Sequence, residues 1–230
     1  MAGSPVSDVL VRASGLTRLF GNGPDAVVAI AEATFEVRAG DKIALVGPSG
    51  SGKSSLLHII AGIDRPTGGA IEWPALGARE DLRPGPVALA FQGPSLLPPL
   101  SVEENVALPL LLAGSPAAAA SAAAQAMIGK LGLSDIASKL LEEISGGQAQ
   151  RAGVARALVG EPSLVLADEP TGQLDRGSAL ALMAVLLEQV ESTGAALIVA
   201  THDAAMAGWL PLRWSMNDRR LETGEEQRLP

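Results

Sequence analysis

The sequence predicts an α/β fold with a mostly parallel core sheet, and three observations carry that expectation. Short apolar runs of parallel-strand type, Lys42 to Val46, Val87 to Phe91, Leu164 to Ala167 and Ala196 to Ala200, alternate with helical patterns. Strands that alternate with helices pair in parallel and bury both faces. The stretch Gly47-Pro48-Ser49-Gly50-Ser51-Gly52-Lys53-Ser54, continued by Ser55, fits the phosphate-loop pattern at every fixed position and lies between one such strand and a helix. Finally, the chain from Ser115 to Glu143 reads as helix with no strand, which implies a helical subdomain inserted into the core.

The bulk numbers bound the answer. With 230 residues, 47% of them hydrophobic, the chain can build one α/β domain with a large core, alone or with a small subdomain. A net charge of −8 with no cluster of Lys and Arg argues against a nucleic-acid partner. There is no cysteine, so disulfides and thiolate metal sites are excluded. Met1 to Asp8 lacks the charged-then-apolar pattern of an export signal, so the chain is expected to stay where it is made. No charge occurs from Asn105 to Gly129, but Pro109, Gly114, Ser115 and Pro116 interrupt the run and its second half is mostly alanine. It is read as soluble, without membrane insertion.

In chain order, Val9 to Ala13 and Thr34 to Val37 read as short strands joined through the turn-rich Gly21-Asn22-Gly23-Pro24, an antiparallel front to the sheet. The helix after the phosphate loop carries Leu56, Leu57, Ile59 and Ile60 and is closed by Gly62. A short strand is expected near Ala70 to Trp73. Gly93 to Leu100 is apolar yet too rich in proline for helix or central strand. Ser115-Pro116 offers an N-cap with proline at the first helical position, so the alanine-rich run to Gly129 is expected to be helix, continued by Leu131 to Glu143. Ser145 and Gln148 have capping-box spacing and open a helix to Val159, which Gly160 and Pro162 stop. Ala179, Met183, Leu186, Leu187 and Val190 recur at helical spacing, and the tail from Asn217 is polar and peripheral.

The chemistry gathers at strand ends. Glycines let the loop curl around an anion, so that amides and the start of the next helix point at nucleotide phosphates. Lys53 supplies a mobile positive charge for the β- and γ-phosphates, and the Ser54 hydroxyl suits Mg²⁺. The strand Leu164 to Ala167 ends in Asp168-Glu169. An acid at Asp168 suits the Mg²⁺ shell, and Glu169 can orient and polarise the water that attacks the γ-phosphate.

Ile144-Ser145-Gly146-Gly147-Gln148 resembles the signature of the nucleotide-binding subunits of ATP-binding cassette (ABC) transporters, where leucine ordinarily stands first. Ser145 and the amides of Gly146 and Gly147 make a second helix start ready for an anion, and a capping box alone would not call for two glycines. Other pieces follow in family order. Gln92 resembles the Q-loop glutamine that senses Mg²⁺ and the attacking water. Leu174-Asp175 resembles the D-loop, and Asp175 is also a candidate helix N-cap. His202 resembles the switch histidine that contacts the γ-phosphate. Phe20 stands where the family places the aromatic ring that stacks on adenine, with core packing as the alternative; His58 is left to packing.

The resemblance implies a P-loop NTPase of ABC type: a single domain over residues 1–230, with 1–92 and 161–230 as the RecA-like core with its β subdomain and 93–160 as the helical subdomain. It implies an ATP hydrolase using Mg²⁺ held by Ser54, Gln92 and Asp168, with catalysis by Glu169, His202, Gln92 and Lys53. It also implies a homodimer that sandwiches ATP, and an integral membrane permease as partner, so that the chain is cytoplasmic and peripheral on the inner face of the cell membrane. The Pro-rich segment Gly93 to Leu100, with Leu96 and Leu97, is expected to receive a helix of that permease. Asn105 to Gly114 and Asp168 to Asp175 look like the branch of lipoprotein-releasing, macrolide-exporting and cell-division cassettes. The short stretch from Trp73 to Val87 instead resembles some importer ATPases, and Ala149 replaces a usual polar residue. A soluble or division-associated ATPase switch remains the alternative, with a phosphoryl-transfer kinase a third reading that the signature and Glu169 argue against.

Overall fold

The computed structural model describes residues 8–21, 23–93 and 95–224. Asn22 of the expected front turn, Pro94 of the Pro-rich segment, residues 1–7 of the N-terminus and residues 225–230 of the polar tail lie outside the described residues. The strands are β1 (Val9–Phe20), β2 (Val27–Arg38), β3 (Lys42–Val46), β4 (Gly68–Glu72), β5 (Val87–Ala90), β6 (Leu164–Asp168), β7 (Ala196–Thr201), β8 (Leu212–Asn217) and β9 (Arg220–Thr223). The helices are α1 (Lys53–Ile60), α2 (Val102–Leu112), α3 (Ala117–Lys130), α4 (Gly146–Leu158), α5 (Arg176–Thr193) and α6 (Ala204–Ala207). They group into two compact units, Met1–Leu82 with Ala196–Pro230, and Arg83–Ala195.

In the first unit the strands lie in the order β4-β1-β2-β9-β8-β3-β7. β3 is parallel to both neighbours, with Val46 opposite Thr201 of β7 and Ser215 of β8. Its Ile43, Ala44 and Leu45, and Leu56, Leu57, Ile59 and Ile60 of α1, are fully buried, each large side chain contributing about 1.5–3 kcal/mol. Trp73 covers the end of α1, its indole N–H donating to the Ile60 carbonyl at 2.9 Å.

The antiparallel front is longer than expected. β1 and β2 pair from Val9 opposite Arg38 to Phe20 opposite Val27, with register shifts on the way. The ladder survives its interruptions because Gly15 turns to a φ of 57° and donates its N–H to Thr34 Oγ1 at 2.9 Å. There β4 crosses closely: a Cβ on Gly69 would stand 2.3 Å from the Gly15 carbonyl oxygen. The polar tail also forms structure, since β8 and β9 make an antiparallel hairpin over Asp218 and Arg219, whose φ values are 45° and 63°. Arg220 then reaches Glu32 of β2 at 2.6 Å.

In the second unit β5 and β6 are parallel, Ala90 opposite Ala167, and the four helices α2 to α5 belong with them. α2 starts at a reciprocal capping box, Ser101 with Glu104. Asn105, buried within it, accepts from the Leu97 amide at 2.7 Å and donates to the Leu97, Leu100 and Ser101 carbonyls, which ties the Pro-rich loop to the helix. Two expectations are corrected here. The N-cap position of α3 is Pro116, not Ser115, because it is the Pro116 carbonyl that accepts the first helical bond, from the Ala120 amide at 3.0 Å, at a non-helical ψ of 139°. Leu131 to Glu143 is not continuous helix but carries two single 3-10 turns, Ser134–Ile136 and Leu141–Glu143. No helix among the described residues is long and apolar enough to cross a membrane.

Candidate functional site

In the first unit the phosphate loop leaves the carboxyl end of β3 and runs into α1. Its shape requires glycine at two close approaches: a Cβ at Gly47 would stand 2.5 Å from the Met216 carbonyl oxygen, and one at Gly52, with φ of 104°, 2.2 Å from that of Ala29. Gly52 is the N-cap of α1 and offers no side chain to its first-turn amides, so those N–H groups await an outside acceptor. Lys53 is buried and folded back, Nζ donating to the carbonyls of Gly47 at 2.8 Å and Pro48 at 3.1 Å. Ser51 Oγ is buried without a hydrogen-bond partner among the described residues. Pro48, Ser49 and Gly50 are exposed at the rim, with Ser54 and Ser55 half-buried at the start of α1. Amides, a hydroxyl and an ammonium with no carboxylate among the loop residues make a donor set that fits phosphate.

His202 joins this loop. Val46 and Thr201 are partners across β3 and β7, and Gly47 and His202 each follow by one residue, so the exposed histidine stands at the same end of the sheet. Asp203 next to it caps α6, accepting from the Ala205 amide at 2.7 Å. Phe20 ends β1 and is 45% exposed, which core packing would not leave it. The Arg18 guanidinium lies 4.3 Å over the ring centroid and is itself paired with Asp64 at 2.8 Å.

In the second unit Gln92 and Glu169 each lie two residues beyond the Ala90–Ala167 rung, so both stand at the carboxyl end of β5 and β6. Gln92 is exposed, whereas Asp168 and Glu169 are buried. Glu169 has a φ of 48°, a left-handed conformation that costs a residue with a Cβ about 1–3 kcal/mol and that clusters at working sites. The hydroxyl of Ser54, the amide oxygen of Gln92 and the carboxylate of Asp168 are oxygen donors of the kind that Mg²⁺ takes.

α4 begins at the expected capping box: Ser145 Oγ accepts from the Gln148 amide at 3.2 Å, and Gln148 Oε1 from the Ser145 amide at 2.8 Å. The two glycines between them face inward onto the 173–174 turn. A Cβ on Gly146 would meet Gln173 Oε1 at 3.0 Å, and one on Gly147 would meet Leu174 Cδ2 at 3.1 Å. Asp175 is the N-cap of α5, accepting from the Ser178 amide at 3.0 Å and its hydroxyl at 2.6 Å. Those bonds, the hydroxyl first, hold its carboxyl below the usual carboxylate range.

Sequence reading missed Gln150. It is buried on α4, its Nε2 donating to the Glu169 carbonyl at 2.8 Å and its Oε1 accepting from the Gln173 amide at 3.1 Å. The available signal was a glutamine on the apolar face of a helix, flanked by Ala149 and Ala152. The Leu96 expectation is corrected as well: Leu96 is buried and only Leu97 is exposed, because Asn105 fixes the backbone between them and α2.

Comparison with known proteins bears on this arrangement. The family model for ABC transporters matches residues 30–172, more than half of the chain. The lipoprotein-releasing system ATP-binding protein LolD of Hydrogenovibrio crunogenus is 38% identical over 220 residues, 93% of this chain and 96% of that protein. LolD of Gluconobacter oxydans is 38% identical over 218 residues, 92% of this chain and 94% of that protein. Among solved structures, the dimeric post-hydrolysis state of the ATP-binding cassette MJ0796 bound to ADP and Pi matches with a TM-score of 0.88 and 29% identity, covering 95% of this chain and 99% of that one. The α/β fold with its mixed, mostly parallel sheet is that of a cassette. This chain therefore belongs to the ABC transporter family, as an ATP-binding and ATP-hydrolysing subunit.

Proposed function

We propose that this subunit powers a separate membrane permease of the lipoprotein-releasing kind. The observation that carries the reading is the alignment of 93% and 92% of the chain with two lipoprotein-releasing ATP-binding proteins. On this reading the chain is peripheral on the inner face of the cell membrane and works as a homodimer. Each ATP lies against the phosphate loop of one copy and the Ser145–Gln148 turn of the other, a reading supported by the dimeric state of MJ0796. The permease helix docks beside α2, where Leu97 and Leu111 are exposed and where the exposed Phe91 and Leu112 line, with Leu108, Pro109 and Arg156, a cavity of about 430 Å³.

Within a site, the loop amides and Ser51 bind phosphate oxygens, and Lys53 exchanges its two carbonyl acceptors for the β- and γ-phosphates. Ser54, Gln92 and Asp168 would hold Mg²⁺, which when bound would supply positive charge against that developing on the phosphates. Phe20 offers its ring to adenine, and His202 donates to the γ-phosphate. Glu169 orients the attacking water and accepts its proton. Asp175 holds the turn that follows Glu169 at the start of α5.

Glu169→Gln keeps the shape but not the base. It is expected to bind ATP, to accumulate an ATP-bound dimer, and to lose turnover by about 10²–10⁴-fold. Hydrolysis at the parent rate would overturn the assignment. The partner is tested by pull-down from solubilised membranes: a membrane-spanning protein should copurify with the chain, and a purely soluble set of partners would favour the ATPase-switch alternative.

A further inference from the structure

Gln150 lies on the buried face of α4, two residues after the turn formed by Ser145 to Gln148, and is 3% exposed. Packing alone would place an apolar residue there, as at its buried neighbours Ala149, Ala152 and Val154. A buried amide is costly unless its oxygen and its N–H are engaged, and both are engaged by one short stretch of backbone. Nε2 donates to the Glu169 carbonyl at 2.8 Å and Oε1 accepts from the Gln173 amide at 3.1 Å. The Gly172 amide donates to that same Glu169 carbonyl at 3.1 Å.

Two donors on one carbonyl fix the Glu169–Pro170 peptide plane, and that plane sets ψ at Glu169. Its φ of 48° is a conformation that a residue with a Cβ keeps only when its surroundings hold it. We infer that Gln150 is a positioning residue for hydrolysis: it clamps the backbone of Glu169 so that the carboxylate stays aimed, and it ties that geometry to α4. The inference rests on the reading of Glu169 as the base. It adds a direction of control, because α4 opens with the turn proposed to face the nucleotide of a second copy. A displacement of α4 would reach Glu169 through a single side chain.

Gln150→Leu conserves volume and removes both bonds. With the full-length chain, kcat is expected to fall about 10²-fold, as for a misplaced reacting group, while ATP affinity measured by calorimetry stays within about twofold. In a Glu169→Gln background the same substitution should leave the residual rate unchanged, since groups that act as a unit lose activity once. An unchanged kcat, an equal loss in both backgrounds, or a loss of ATP affinity as large as the loss of kcat would each overturn the inference. If Gln150→Leu melts at the assay temperature, Gln150→Met serves in its place, because its unbranched chain keeps the length and volume of glutamine, adds no charge, and lacks the N–H donor to Glu169. Failure of the underlying reading looks different: Glu169→Gln would then hydrolyse ATP at the parent rate, whatever is done to Gln150.

Discussion

Two helices of this chain begin at glycine-bearing turns that suit an anion, and they are built in opposite ways. α1 starts at Gly52, which has no side chain to offer; its first residue, Lys53, carries a buried ammonium, and the loop before it a hydroxyl, that of Ser51, without a hydrogen-bond partner among the described residues. α4 starts at Ser145, whose hydroxyl and whose partner Gln148 already satisfy two of the turn's amides. An uncapped start has donors to give and holds phosphate by itself. A capped start has fewer, and no Lys or Arg in its first turn. On the proposed two-copy reading, the difference assigns the binding order: the loop of one copy would capture nucleotide alone, whereas the α4 turn of the other would add to a phosphate that is already held.

The contrast can be broken most severely at Gly52. Gly52→Ala forces a Cβ against the Ala29 carbonyl at a φ of 104° and should cost about 2–4 kcal/mol of stability, read as a fall in urea midpoint, with ATP binding by the isolated chain lost. Ser145→Ala at the other helix should cost only about 1 kcal/mol and leave ATP affinity of the isolated chain intact, while ATP-driven dimerisation weakens. If it weakened ATP binding by the isolated chain as much as Gly52→Ala, the two starts would not differ as described.

A third start sharpens the comparison with the smallest effect. α5 is capped by Asp175, a carboxylate whose bonds to Ser178 lower its folded-state pKa below the unfolded value. Its stabilisation is therefore present above the unfolded pKa and is lost as pH falls through the folded one, that is, below about pH 4. Asp175→Asn should flatten the acid limb of the urea midpoint against pH and leave the neutral value almost unchanged. A steeper acid limb would contradict the cap.

What was legible in the sequence was local. The phosphate loop, the strand before it, the capping box at Ser145 and the end of β6 at Asp168-Glu169 are contiguous patterns whose chemistry shows in a few residues. The β8–β9 hairpin escaped because its turn uses Asp218 and Arg219 at positive φ where glycine would have announced it. The length of β1 escaped because a bulge at Gly15 breaks the alternation without breaking the pairing. α2 was hidden by Pro109, although Ser101 and Glu104 spelled its start. Gln150 escaped for a different reason: its partners are 19 and 23 residues away along the chain, and no period or spacing reports a contact made by folding.

The walls of the phosphate loop have a consequence of their own. The Met216 carbonyl of β8 stands against Gly47 and the Ala29 carbonyl of β2 against Gly52, so the loop is moulded by two strands outside it. Its disorder is removed when the sheet forms, and little ordering entropy remains to be lost on binding. On the proposed reading a nucleotide would meet a finished mould, and the selectivity of capture would reside in the sheet's geometry as much as in the loop's own residues.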